Sequence, residues 1–206
     1  GVGVGPGPGS DGPGPGPTGD PGAPPTSPPP PPPPGNPDGG SPQASITGQW
    51  TRAANLPISP VHNVVLPDGR VMLVGRTFNQ AVWDPANQST TPLPNPGYDL
   101  FCAGHADLGD GRVLMAGRHI ADFVGLPQAS VYDPRTNTWT PAPDMNAARW
   151  YPTVTTLPNG DALVVAGSMD TSLSANTLPQ VYQAATNSWR NLTSAQLNQP
   201  MYPMMF

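Results

Sequence analysis

The pattern of apolar and polar positions divides the chain near residue 46. Before that point Pro, Gly, Ser, Asp and Thr dominate and almost nothing is available to bury; after it, short apolar runs recur between turn signals. Three segments share one pattern: His62 to Gly75, His105 to Gly117 and Tyr151 to Gly167. Each holds a short apolar strand, a turn (Pro67-Asp68-Gly69, Gly109-Asp110-Gly111, Pro158-Asn159-Gly160) and a second apolar strand that ends at glycine. Asp-Gly or Asn-Gly between apolar runs predicts a β-hairpin, because both residues tolerate the positive φ that a type I′ turn demands. Asp68, Asp110 and Asn159 are therefore read as turn residues. A third strand follows in each unit, at Ala81-Val82-Trp83, Ser130-Val131-Tyr132 and Gln180-Val181-Tyr182. The second and third units close on an indole, Trp139 and Trp189, which the repeat assigns to the core.

Four short strands per unit and a regular period define the architecture. Gly69 and Gly111 are 42 residues apart, Gly111 and Gly160 are 49 apart, and Trp139 and Trp189 are 50 apart. That spacing predicts an all-β chain, a partial kelch-type β-propeller of about three four-stranded blades. The run Pro200 to Phe206 reads as the start of a fourth blade, with Tyr202-Pro203 placed like Tyr151-Pro152. A β-sandwich of regular hairpins is the alternative, and the repeat argues against it. The predicted organisation is a disordered Pro/Gly-rich linker or stalk over 1–45 and the partial propeller over 46–206. The seven prolines Pro28 to Pro34 favour a stiff polyproline II rod. The repeats are too few for a closed propeller of ordinary size, so a fragment incomplete at both ends is expected.

Composition narrows the function classes. Eight basic residues against thirteen acidic ones, with a net charge of −5, leave no basic stripe to track nucleic acid or an anionic membrane. No apolar run is long enough to span a bilayer. A single cysteine, Cys102, excludes an internal disulfide. Asn87-Gln88-Ser89 and Asn191-Leu192-Thr193 are sequons, so Asn87 and Asn191 are glycosylation candidates in a secreted chain. No carboxylate pair is spaced for general acid and base work.

Two residues at the openings of successive units carry the chemistry. Cys102 lies in Phe101-Cys102-Ala103-Gly104-His105, and Tyr151 lies in Ala148-Arg149-Trp150-Tyr151-Pro152 ahead of a Pro-Asn-Gly hairpin. Over residues 46–206 these motifs resemble the copper radical oxidases, the galactose oxidase and, more closely, glyoxal oxidase type. The resemblance implies that Cys102 and Tyr151 are joined by a thioether and that Tyr151 binds copper and holds a radical. Aldehydes or primary alcohols and O2 would then be the substrates and H2O2 a product. It also implies a secreted, extracellular protein, and the proline-rich segment suits a cell wall or matrix stalk with wall or matrix glycans as partners, or else a linker with no partner. Imidazole and oxygen ligands suit Cu(II) with an open coordination position.

The chain departs from that family in places. Its second tyrosine and two histidine ligands map beyond Phe206, so the fragment by itself is expected to be inactive. His62, His105 and His119 match no ligand position and are expected to be ordinary surface or strand-end residues. The family's stacking tryptophan position holds Met169; Trp150 is the candidate to shield the radical, or else an aromatic packed between blades. The kelch double glycine is weakened to Gly75-Arg76, Gly117-Arg118 and Gly167-Ser168. The alternative function is a non-catalytic kelch propeller that binds wall or matrix.

Overall fold

A computed structural model describes residues 44–48 and 55–205. The Pro/Gly-rich stretch 1–43 lies outside the described residues. One helical turn, α1 (Ala44–Thr47), crosses the expected boundary at residue 45 and belongs to a unit separate from the sheets.

Twelve strands form three antiparallel sheets of four, each in sequential order. Blade 1 holds β1 (His62–Val65), β2 (Val71–Val74), β3 (Gln80–Trp83) and β4 (Thr90–Pro92). Blade 2 holds β5 (Gly104–Asp107), β6 (Val113–Ala116), β7 (Ala129–Asp133) and β8 (Thr138–Ala142). Blade 3 holds β9 (Thr153–Thr156), β10 (Ala162–Val165), β11 (Gln180–Gln183) and β12 (Ser188–Asn191). The partial propeller predicted from the repeat is the fold observed. Where a fourth blade was expected to start, Tyr202 adopts the backbone of its counterparts, but no strand follows it among the described residues.

The core lies between the blades. All of β6 is buried, and its period of two divides the strand. Val113 and Met115 join Val64, Met72, Val74 and Val82 between blades 1 and 2. Leu114 and Ala116 join Val154, Ala162 and Val164 between blades 2 and 3. Alternation along one strand thus glues two neighbours, each fully buried aliphatic side chain contributing about 1.5–3 kcal/mol. Trp139 and Trp189 lie at the edge of this core rather than inside it: each is half-buried, tilts against Tyr132 or Tyr182 at 5.1 Å, and donates its indole N–H to a carbonyl, of Pro94 or Pro143.

The hairpin turns differ from the type I′ expectation. Gly69, Gly111 and Gly160 have φ of 85°, 84° and 85°, whereas Asp68, Asp110 and Asn159 do not take positive φ. The Gly69 N–H bonds to the Leu66 carbonyl (2.9 Å) and the Leu66 N–H to the Arg70 carbonyl (2.8 Å), a type I turn followed by a left-handed glycine. In blades 1 and 3, Pro67 and Pro158 explain the choice, because the ring fixes φ negative where type I′ needs it positive; blade 2 makes the same turn with Gly109 in that place. The Asp68 carboxylate accepts from the Arg70 backbone N–H (3.1 Å), and Asp110 does the same for Arg112 (3.1 Å).

Candidate functional site

The residues before β5 and β9 share one geometry. Cys102 and Tyr151 each stand two positions ahead of their strand, with left-handed φ of 64° and 62°. Tyr202 repeats it with φ of 48°. Left-handed backbone at three bulky residues is costly, so the surroundings must hold it. Backbone bonds do so: the Tyr151 N–H donates to the Cys102 carbonyl (3.0 Å) and the Tyr202 N–H to the Tyr151 carbonyl (2.9 Å). Equivalent positions on successive units are thereby linked in series.

Close approach of blades 2 and 3 sets the spacing. A β-carbon on Gly104 would stand 2.7 Å from the Pro152 carbonyl oxygen and from Val154, and one on Gly109 would stand 2.7 Å from Gly160. At that separation the side chain of Cys102, 2% exposed, lies near enough to that of Tyr151 for each to shift the other's ionisation. Burial pushes the thiol up to about 11, against the smaller opposing effect of the bond from Tyr151. The bond to Cys102, then burial, pushes the Tyr151 phenol up to about 12. Both groups are therefore neutral near pH 7, which removes Cys102 from the class of thiolate nucleophiles. A phenol held this far from ionisation needs a cation beside it to become a phenolate.

Aromatic rings enclose the phenol. The Trp150 indole stacks on Tyr151 at 3.7 Å between centroids and 6° between planes. The Tyr202 ring stacks at 4.5 Å and 18°. Two near-parallel rings at those distances collide if they share a face, so Tyr151 lies between Trp150 and Tyr202. Trp150 is itself held. Its Nε1–H donates to His119 Nδ1 (3.1 Å), Phe123 meets it edge-on at 5.1 Å, and Phe101 meets His119 edge-on at 5.3 Å. Arg76 lies over Phe101 at 4.8 Å.

Arg149 anchors this loop from below. It is fully buried, donating through Nη1 to the Ala166 carbonyl (2.6 Å) and through Nη2 to the Leu178 carbonyl (2.5 Å) and Asn146 Oδ1 (3.1 Å). Its Nε has no partner, and burial pulls it down to about 10. Gly117, Gly125 and Gly167 pack on its backbone and stem so closely that a β-carbon would come within 2.5, 2.2 and 2.9 Å. The glycines and Arg149 together fix where Trp150 and Tyr151 begin.

Cys102, Tyr151 and Trp150, the residues singled out in the sequence, come together. Trp150 and Tyr202 are the rings stacked on Tyr151. Asn87 and Asn191 are exposed and far apart in sequence, on blades 1 and 3. The expectation for the histidines needs correction. His119 is bonded to the site's indole, and His62, although it opens β1, is buried at 8% exposure, with His105 edge-on at 5.2 Å. Sequence reading also gave no role to Arg149, although an arginine in the otherwise uncharged run Ala147-Ala148-Arg149-Trp150-Tyr151 was a signal. Among the described residues no group of three or more His, Cys, Asp or Glu side chains is placed to share a metal ion.

Comparison with known proteins agrees with this architecture. A kelch motif matches residues 126–146, which include β7 and β8. Galactose oxidase of Gibberella zeae is 27% identical over 173 residues, covering 77% of this chain and 24% of that protein. An F-box/kelch-repeat protein of Arabidopsis thaliana is 33% identical over 92 residues, 45% of this chain and 23% of its own length. The chain thus spans about a quarter of the curated relatives it matches. Among solved structures, a fungal alcohol oxidase of the AA5 family in complex with copper shares the fold at a TM-score of 0.56 and 21% identity, over 69% of this chain and 32% of that one. Repeat, sequence relationship and shared fold identify the described blades as kelch-type blades that are similar in sequence to galactose oxidase and in fold to a copper-bound fungal alcohol oxidase.

Proposed function

We propose that this chain is part of a secreted copper radical oxidase of the glyoxal or galactose oxidase type, in which Cys102 and Tyr151 become a thioether-linked pair. The observation that carries the reading is the contact of a buried thiol with a phenol from the next blade, the phenol enclosed between two rings. The relationship to galactose oxidase supports it. Residues 1–45 serve as a stalk toward wall or matrix, and 46–206 as the first blades of the catalytic propeller.

Forming the thioether breaks the Sγ–H bond of Cys102 and a ring C–H bond of Tyr151 and makes one Sγ–C bond. The two electrons and two protons pass to dioxygen, which becomes hydrogen peroxide. The residues fit a copper ion in one respect: a neutral phenol lacking a strong cationic neighbour is where a metal cation would supply the missing charge. Bound through the Tyr151 oxygen, copper would accept one of the two electrons that leave an aldehyde or primary alcohol on oxidation, and the tyrosyl ring the other. Ring substitution by sulfur lowers the potential of Tyr151, and Trp150 keeps water from one face of the ring. His119, by accepting the indole N–H, holds Trp150 in register.

Digestion of the full-length copper-loaded protein at arginine separates the two residues, Cys102 within 77–112 and Tyr151 within 150–190. The expected result is one linked species lighter than the two peptides by two hydrogens, together with copper-dependent peroxide release from a primary alcohol or aldehyde. Free peptides and no peroxide, with retention on wall polysaccharide, would make the protein a non-catalytic kelch binder.

A further inference from the structure

Tyr202 stands outside the thiol–phenol pair, yet three contacts aim it there. It is the third member of the left-handed series after Cys102 and Tyr151, bonded through its N–H to the Tyr151 carbonyl. Its ring covers the face of Tyr151 that Trp150 leaves open, at 4.5 Å. Its hydroxyl donates to the carbonyl of Ala103, the residue after Cys102 (3.0 Å). One side chain therefore spans from the face of the phenol back to the backbone of the cysteine.

We propose that Tyr202 is a positioning residue that clamps the Tyr151 ring against Cys102, so that the thiol meets the ring edge rather than its face. Two stacked rings leave the phenol only rotation within its own plane, and the Ala103 bond fixes Tyr202 relative to the cysteine. The ring is the working part, so phenylalanine should replace it and alanine should not.

The inference rests on the thiol–phenol reading above, and its test separates the two. Cys102 is the sole cysteine, so the rate at which a small thiol reagent labels the folded metal-free chain reports on this site alone. Tyr202→Ala is expected to raise that rate about tenfold or more by freeing the Tyr151 ring, and Tyr202→Phe to stay within about twofold of the parent. Val181→Ala, which removes buried volume in β11, controls for general loosening. If Tyr202→Ala labels at the parent rate, if Tyr202→Phe labels as fast as Tyr202→Ala, or if Val181→Ala does so at matched stability, the clamp is disproved. In the copper-loaded protein under dioxygen, the yield of linked 77–112 and 150–190 peptides is expected to fall in Tyr202→Ala and to be restored in Tyr202→Phe. Equal yields in the parent and Tyr202→Ala would also overturn the proposal. A parent that never links refutes the oxidase reading, while thiol labelling still decides the role of Tyr202.

Discussion

The two ends of the blades follow opposite rules. At the hairpin end devices recur between blades, although blade 3 carries Asn159 and Asp161 where blades 1 and 2 pair Asp with Arg. Asp68 pairs with Arg70 and Asp110 with Arg112, each at 2.7 Å, and the two arginines reach the next blade at equivalent carbonyls, Pro134 and Ala184. Tyr132 and Tyr182 donate to Asn137 and Asn187, both with left-handed φ. At the opposite end, where the strands begin, only the backbone repeats. The side chains set on that repeated backbone differ, a thiol ahead of blade 2, a phenol ahead of blade 3 and another at Tyr202, and His62 Nε2 and Arg149 Nε are buried without partners. Repetition at one end maintains the scaffold with inexpensive surface contacts; variation at the other concentrates chemistry and buried charge.

The contrast can be broken most severely at Arg149. Arg149→Met is expected to cost about 3–5 kcal/mol, because the Ala166 and Leu178 carbonyls lose a charged donor. Urea denaturation measures it, and a loss below about 1 kcal/mol would show that the arginine is dispensable. A smaller effect at the same end is pH-dependent. Burial, then the neighbouring His105, pulls His62 down to about 4 from an ordinary imidazole value near 6.5. The folded chain thus keeps His62 neutral while the unfolded chain takes up a proton. This contribution is complete above about pH 6.5 and lost as pH falls toward about 4, on the order of 2–3 kcal/mol. His62→Leu should flatten the fall in urea midpoint over that window; an unchanged slope would place the titration elsewhere. The hairpin end should respond least. Arg112→Gln is expected to cost no more than about 0.5–1 kcal/mol, and less still at high salt, because the pair with Asp110 is partly exposed. A larger, salt-independent loss would mean that this end is not the inexpensive one.

The same contrast explains what the sequence revealed. Strand number, blade order and turn positions were legible, since repeats at the hairpin end depend on local rules that Gly, Asp and Asn announce. The turn type was misread because Pro67 rules out type I′, a constraint present in the sequence but outweighed by the Asp-Gly signal. Cys102, Tyr151 and Trp150 were found through motifs at the strand starts. His119 and Arg149 were not, because their roles come from burial and from partners such as Ala166 and Leu178, which no local pattern connects to them.

The glycines between blades 2 and 3 have a genetic consequence. Gly104 and Gly109 carry no reactive group, yet any larger residue there forces one blade away from the other. Since Cys102 and Tyr151 sit on opposite sides of that gap, substitutions that separate the two should cluster at positions with nothing to donate, ligate or oxidise. Natural variants that keep every reactive side chain would then still lose the approach of Cys102 to Tyr151, and a survey of those side chains alone would miss them.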